Sequence, residues 1–548
     1  MRFSFLSEVF QRLEKTSSRL ELTDIVSEFL EKAPPEHLPT IVLFLMGRIF
    51  PPWSDKEIGI ADKIMVKAIS KVSGETEARI FDVIRETGDP GLAAEKVTVK
   101  KSQTTLFTQQ LTVEKVYENL AKLAELTGKG SQEKKLSYIS ELLSFSSPLD
   151  AKYITRLILG DLRLGVGEGT VRDAIAKTFS IPKESVEKAY YLTSDLGEVA
   201  MLAKKRGEKG LNDISIEVGR PIKVMLALKE DSIEKAVEET GKAAFEVKYD
   251  GARVQIHKSG EIELYTRRLE NVTKQFPEIT KLAGESINAE SAIVEGEIVA
   301  INADRKPMPF QNLSRRIKRK YDIGEMVDRI PVEVNLFDIV YLNGKNLLDE
   351  EFQARRKKLE GIIKPSERFR LAEQLVTDNV EEAGRFYKQA LDAGHEGVMV
   401  KILNAPYKAG SRVGYMYKIK PVMETLDLVP VGATWGEGRR ASWLGSYLLA
   451  ARDNDTGDYL TIGRMATGLN DEQLQELTDR LKPNITSQKG KEVTLKPSIV
   501  MEVAYEEIQK SPTYESGYAL RFPRLVRVRD DKSPEDGDTL ERVEEIIG

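Results

Sequence analysis

Near Ile214 the spacing of apolar residues changes from every three or four positions to every second one, so no single uniform architecture can account for the whole chain. Before that point the pattern is helical. In TDIVSEFLEKAPP, Ile25, Val26, Phe29, Leu30 and Ala33 recur on one helical face, with Thr23 as the expected N-cap and Pro34-Pro35 as the stop. VYENLAKLAELTGKG and KKLSYISELLSF repeat the style, which predicts a mostly α region over residues 1–213. After it come short runs rich in β-branched and aromatic residues: AFEVKY, VQIH and IELY, with Ser259-Gly260 as a hairpin turn between the last two. AIVEGEIVAI, VEVNLFDIVYL and GVMVKI follow, with the helical piece QARRKKLEGII among them. Residues 214–420 therefore read as α+β. Beyond Pro421 the strands VPVGATW, SYLLAARD, YLTIGRM, SIVMEVAYEEI and RLVRVR, with one helix at NDEQLQELTDRLK, predict a small barrel of the OB-fold type over residues 421–548. Three regions suit 548 residues, too many for one hydrophobic core.

The chain has no cysteine, which excludes disulfides, iron–sulfur clusters and cysteine zinc sites. Its three histidines, His37, His257 and His395, are too scattered for a histidine metal site. Any metal is expected to be a hard ion held by carboxylates and phosphates, with Mg²⁺ the first choice. No apolar run approaches the roughly 18 residues of a membrane span. The start, MRFSFLSEVFQRLEK, turns charged too early for a secretory signal, so a cytoplasmic protein is expected. The net charge of −5 hides local asymmetry. Five of the six residues 315–320 (RRIKRK) are cationic, and residues 521–529 (RFPRLVRVR) carry four arginines between apolar residues. One such run is ordinarily a solvated face, but a polyanion responds to the face it meets, not to the total charge.

The densest chemistry lies in EVKYDGAR. A strand ends at Lys248 and Asp250-Gly251 then turns the chain, which puts an ammonium at a sheet rim, where burial and nearby cations can adjust it for nucleophilic use. Lys-x-Asp-Gly alone is most often a surface turn. Its company carries the reading. Glu297 closes IVEGE, Phe337 opens FDIVYLNG, Glu396 starts EGVMVK, and Lys418 and Lys420 sit in YKIK. Carboxylates for a metal or a ribose, an aromatic for a base and lysines for phosphates are the groups a nucleotide site needs.

This ordered set resembles the motifs of the covalent nucleotidyltransferases, and among them the ATP-dependent DNA ligases of the archaeal and eukaryotic type. KYDGAR, TRRLENVT, IVEGE, FDIVYLNG, EGVMVK, YKIK and RFPRLVRVRDDK are similar to seven family motifs in their order. PIKVMLA resembles the opening of the family's core, and GKGSQEKK (residues 128–135) and GDLRLGVGEGTV (residues 160–171) resemble the DNA-contacting turns of its helical domain. The resemblance implies an all-α DNA-binding domain, an adenylation domain and an OB-fold domain. It also implies the sealing of nicks in double-stranded DNA, in replication, repair and recombination.

By the same resemblance Lys248 is the nucleophile that attacks the α-phosphorus of ATP and carries AMP. Glu246 reads the adenine through its backbone and environment, Phe337 stacks on it, and Arg253 contacts the nucleotide and later the nick phosphate. Glu297 is the ribose and metal carboxylate, and Glu396 a second metal carboxylate. Arg412, Lys418 and Lys420 are phosphate contacts. TRRLE offers both Arg267 and Arg268 for one family arginine; on a strand they would face opposite sides, so only one would meet ATP. Arg529 and Lys532 are expected to orient pyrophosphate when the OB domain closes about a hinge near Pro421. Nicked duplex DNA is the implied partner of a monomer used at a prokaryotic nucleoid. A sliding clamp is allowed for, with no docking motif to identify it. RNA ligases and mRNA guanylyltransferases share the lysine motif but not the helical region, and NAD-dependent ligases carry a cysteine zinc finger that this chain cannot build. A non-catalytic scaffold would have no reason to keep Lys248, Glu297, Glu396, Lys418 and Lys532 together.

Overall fold

The computed structural model describes residues 1–99, 110–128, 130–319, 322–421, 425–436 and 440–547. They gather into two compact units, Met1–Lys420 and Pro421–Gly548. Lys129, Lys320 and most of the stretch expected to hinge after Pro421 lie outside the described residues.

Among the described residues the first unit begins with twelve α-helices between Phe3 and Asn212. Their apolar stripes meet in one core that includes Phe3, Phe10, Phe44 and Tyr153. The helix predicted around TDIVSEFLEK starts earlier than expected. It runs Arg19–Lys32, with Ser18 accepting from the Glu21 N–H as its N-cap. Thr23 is inside it, its hydroxyl donating to the Arg19 carbonyl at 2.8 Å. Leu22 is the reason: it is buried, so the apolar face begins before Thr23.

Eleven strands follow among the described residues: β1 (Leu228–Glu230), β2 (Ala243–Lys248), β3 (Ala252–Ser259), β4 (Glu261–Thr266), β5 (Ser291–Ala300), β6 (Val332–Leu342), β7 (Lys345–Asn346), β8 (Phe369–Leu371), β9 (Gln374–Thr377), β10 (Gly397–Ile402) and β11 (Met416–Ile419). They form two sheets. One has the order β1-β11-β10-β2-β9 and the other β4-β3-β5-β6-β7, with β8 also on β6. The chain leaves the first sheet at Lys248 and enters the second at Ala252, so the Asp-Gly turn joins two sheets. The expected hairpin at Ser259-Gly260 is present, with Gly260 at φ +76°. Val247, Val398 and Val400 of the first sheet, with Tyr249 just after β2, pack with Val299 of the second, and Phe337 lies against them.

In the second unit the strands are β12 (Leu426–Trp435), β13 (Leu444–Arg452), β14 (Tyr459–Met465), β15 (Ile485–Lys489), β16 (Glu492–Leu495), β17 (Met501–Ala504), β18 (Glu507–Lys510), β19 (Tyr518–Arg521) and β20 (Arg524–Val528). Among the described residues nine strands replace the five expected. SIVMEVAYEEI breaks into β17 and β18, and β15, β16 and β19, of 5, 4 and 4 residues, are too short for their patterning to stand out from a turn. The path β14-β13-β12-β17-β20 returns on itself through a parallel bridge between Thr467, just after β14, and Arg524. A ring of five strands in that order is the Greek-key barrel of an OB-fold. The helix Asp471–Leu481, capped by Asn470, adds Leu474, Leu477 and Leu481 to its core.

Candidate active site

Strand pairing alone assembles half of the site. In the first sheet Lys248 is opposite Gly397, Glu246 opposite Met399, and Met399 opposite Lys418. Directly opposed residues share a face, so Glu246, Lys248, Lys401 and Lys418 project from the same side. In the second sheet Arg253 is opposite Glu297 and Gln255 opposite Glu295. The Asp250-Gly251 turn sets these two faces side by side. A Cβ on Gly251 would stand 2.3 Å from the Ile298 carbonyl oxygen and 2.8 Å from Glu297 Cγ, so only glycine lets the turn lie this close to β5. Gly397, at φ +135°, meets the Ile419 carbonyl in the same way.

Glu396 binds Lys248 twice. Its backbone N–H donates to the Lys248 carbonyl at 2.9 Å, and its Oε2 accepts from Lys248 Nζ. Lys420 Nζ reaches the same oxygen at 3.0 Å. Burial opposes the Glu396 charge, but Lys248 and Lys420 outweigh it and hold the carboxyl down at about 2. Glu297 goes the other way. Burial, with the nearby charges of Glu396 and Asp250, pushes it up to about 7 against the pull of Lys248 and Arg253. Two carboxylates beside one lysine thus sit in opposite charge regimes, a pattern typical of reactive sites.

Arg253 is half-buried and held from three sides. It donates to Glu295 Oε2 at 2.6 Å, to the Met225 carbonyl at 3.1 Å and to the Tyr407 hydroxyl at 3.3 Å. Its Nε is buried without a partner, a donor left for a ligand. The guanidinium also stands 5.3 Å from the centre of the Phe337 ring. Lys401 Nζ is 4.5 Å from that ring and 2.6 Å from Glu246 Oε2, while Gln374 donates to Glu246 Oε1 at 2.9 Å. The Glu246 carboxylate is therefore already committed to protein partners.

The structure brings Lys248, Glu396, Lys420, Glu297, Arg253, Phe337 and Glu246 together around the gap between the sheets. Lys418 projects from the same face of β11. Arg412 lies exposed in the loop before β11. Arg267 and Arg268 fall beyond the end of β4, in a turn where Arg268 N–H donates to Thr266 Oγ1 and both side chains are exposed. The expected strand alternation does not apply to them, because Leu269 turns left-handed at φ +70°. Arg529 and Lys532 belong to the second unit, where both donate to Asp427 Oδ2 at 2.7 Å. Within residues 315–320 Arg316 is fully buried, bound to Glu278 and stacked on Phe276, so that run is not one solvated face.

Sequence reasoning passed over Glu295, Tyr407 and Lys401. Glu295 was in view: in IVEGE it precedes Glu297 by two, the spacing of residues on one strand face. Lys401 ends EGVMVK. Tyr407 stands in an irregular loop and had no signal. Among the described residues no group of three or more side chains is arranged to hold a metal. Glu297 and Glu396 nevertheless suit Mg²⁺, which binds through one or two carboxylates and substrate phosphates, and because burial holds the Glu297 carboxyl up at about 7 despite Lys248 and Arg253, a further cation beside it would favour its charged form. No helix among the described residues is long and apolar enough to cross a membrane.

Three family models match the chain: "DNA ligase N terminus" over residues 2–176, "ATP dependent DNA ligase domain" over residues 224–420, and "ATP dependent DNA ligase C terminal region" over residues 440–532. A DNA ligase of Thermococcus fumicolans is 48% identical over 100% of this chain and 98% of its own length. A DNA ligase of Archaeoglobus fulgidus is likewise 48% identical over 100% of this chain and 98% of its own. The solved structure Pmar-Lig_PreS3 superposes with a TM-score of 0.58 at 20% identity, covering 96% of this chain and 99% of that one, which is a likeness of fold.

Proposed function

Because the chain belongs to the ATP-dependent DNA ligase family, we propose that Lys248 is the residue on which it carries adenylate. The observation that supports this most is the convergence on one lysine, at the join of two sheets, of Glu396, Lys420, Glu297 and Arg253. Phosphoryl transfer asks a protein mainly for positioning and charge neutralisation, and these groups supply both.

In the first step Lys248 Nζ attacks the α-phosphorus of ATP. A P–N bond forms, the bond to the β-phosphate oxygen breaks, and pyrophosphate leaves. Glu396 Oε2, already hydrogen-bonded to Nζ, positions the amine, whose proton is lost before the attack. Phe337 stacks on the adenine, the backbone at Glu246 borders it, and Arg253 meets the nucleotide phosphate through its unpaired Nε. In the second step an oxygen of the nick's 5′-phosphate attacks the same phosphorus and the P–N bond breaks, returning the amine to Lys248. In the third the 3′-hydroxyl attacks the 5′-phosphate and AMP leaves. Mg²⁺ held by Glu297 and Glu396 would neutralise phosphate charge. Arg412, Lys418 and Lys420 make the remaining phosphate contacts, with one of Arg267 and Arg268 beside the nucleotide. Arg529 and Lys532 orient pyrophosphate.

Residues 1–213 serve as the DNA-binding domain, 214–420 as the adenylation domain and 421–548 as the OB domain, with a hinge near Pro421. The glycine-capped starts of the helices Ser131–Phe145 and Glu168–Thr178 present free backbone N–H groups to the phosphates of a nicked duplex. The enzyme acts as a monomer in a prokaryotic cytoplasm. Nick sealing assayed in parallel with ATP, NAD and GTP tests this reading. ATP alone should support it, and sealing with NAD or GTP but not ATP would overturn it.

A further inference from the structure

Residues 221–226 form no helix or strand, yet Ile222, Val224 and Met225 are buried, and the segment is gripped from two sides. On the side of the sheets, the Gln255 amide clamps Ile222: Oε1 accepts from its N–H at 3.1 Å and Nε2 donates to its carbonyl at 2.8 Å. Met225 N–H donates to the Tyr407 hydroxyl at 3.0 Å, and the Met225 carbonyl accepts from Arg253. On the side of the helices, Lys223 N–H donates to the Tyr191 carbonyl at 2.9 Å. The Lys223 ammonium lies over the Tyr190 ring at 5.0 Å and contacts Glu168 Oε2 at 3.2 Å and Oε1 at 3.4 Å.

Glu168 is the first residue of the helix Glu168–Thr178, whose N-cap is Gly167 with no side-chain cap. Its free N–H groups and dipole favour an anion, but the Glu168 carboxylate already stands there. Left alone it would repel an incoming phosphate. Lys223, with Arg48 at 3.5 Å, neutralises it. We propose that Lys223 is a positioning residue for DNA: it lends its charge from the adenylation half to the phosphate-binding turn of the helical half. The grip on the duplex then depends on the docking of the same segment that holds Arg253. This inference rests on the reading of that turn as a DNA contact.

The experiment measures nicked-duplex affinity at low salt for the full chain and four variants. Lys223→Met should weaken binding by about tenfold, and Lys223→Arg should retain it. Adding Glu168→Gln to Lys223→Met should restore most of the affinity, because the charge that needed neutralising is gone. Restored binding also shows that the loss was not misfolding. A double variant as weak as Lys223→Met, or weaker, overturns the proposal. Gly167→Asp separates the premise from the inference: residue 167 is extended (φ −107°, ψ 177°) with open space for a side chain, so Asp fits there as a helix cap. If Gly167→Asp leaves affinity unchanged, the turn does not meet DNA and both ideas fall. If it weakens binding while Lys223→Met does not, the contact stands and the role of Lys223 fails.

Discussion

Glu396 is fastened to Lys248 through backbone and side chain together: its N–H donates to the Lys248 carbonyl at 2.9 Å and its carboxylate takes the Lys248 ammonium. The β2–β10 pairing keeps the two backbones side by side, so the carboxylate stays within reach of the lysine side chain. Glu396→Gln keeps the shape and removes the charge. Self-adenylation with ATP labelled at the α-phosphate should slow by about 10²-fold in single-turnover assays, the range for losing one charged partner of a reacting group. An unchanged rate would show that Glu396 only braces the sheet.

Gly251→Ala should be costly although alanine is small. The new methyl group would enter the space of the Ile298 carbonyl and Glu297 Cγ, so the turn or β5 must move. A destabilisation of about 1–3 kcal/mol is expected in urea unfolding, as for other overpacked sites. Adenylation should fall with it, because Lys248 and Glu297 would lose their alignment. A fully stable and active variant would contradict the close approach.

His257 gives a pH dependence of stability. It is wholly buried, accepts from the Gly219 N–H through Nδ1 at 3.0 Å, and burial pushes it down to about 3 from an ordinary 6.5. Above pH 6.5 both folded and unfolded states are neutral. Below it only the unfolded chain takes up the proton, so stability is lost as pH falls from 6.5 towards 3. Glu297 works oppositely: raised to about 7, it binds a proton in the folded state before an unfolded glutamate does at 4.5. Over pH 6.5 to 5 the two partly cancel. His257→Asn, which can keep the bond to Gly219, should unmask the Glu297 effect. Its stability relative to the parent should rise by roughly 1.4 kcal/mol per pH unit on acidification. A constant difference would mean that His257 is not neutral in the fold.

What the sequence made legible was order, and what it hid was depth. Lys248, Glu297, Phe337 and Glu396 could be read because each stands in a recognisable motif on or beside a strand, although Glu297 and Phe337 prove to lie inside β5 and β6 and not at their ends; the pairing of β2 with β10, β3 with β5 and β5 with β6 then brings them together. The strand alternation considered for Arg267 and Arg268 does not apply, because β4 ends at Thr266 and Leu269 turns left-handed, which residue type alone does not reveal. Arg316 looks like surface charge in RRIKRK, yet it is buried because Glu278, the Gln275 and Ile330 carbonyls and the Phe276 ring satisfy it from distant elements. Tyr407 belongs to the same class. Its hydroxyl joins Arg253, Glu295 and the Met225 N–H, three contacts far apart in sequence. The strands of the second unit were undercounted because β15, β16, β18 and β19 have only 5, 4, 4 and 4 residues, too few for an alternation to stand out from a turn.

Binding of nicked duplex should be steeply salt-dependent and largely indifferent to sequence, because the proposed contacts go to phosphates. Between roughly 50 and 200 mM salt the affinity should fall by about 10³-fold or more if six phosphates are neutralised. A flat profile in a filter-binding or anisotropy titration would contradict a phosphate-led grip.

The central claim is that the ε-amine of Lys248 becomes joined to adenylate before any DNA is present. Mass spectrometry of the protein incubated with ATP and Mg²⁺, without DNA, tests it most directly. An adenylate adduct confined to the peptide that contains Lys248, and absent from Lys248→Ala, is the predicted result. An adduct on another side chain, or none on a preparation that seals nicks with ATP, would contradict it.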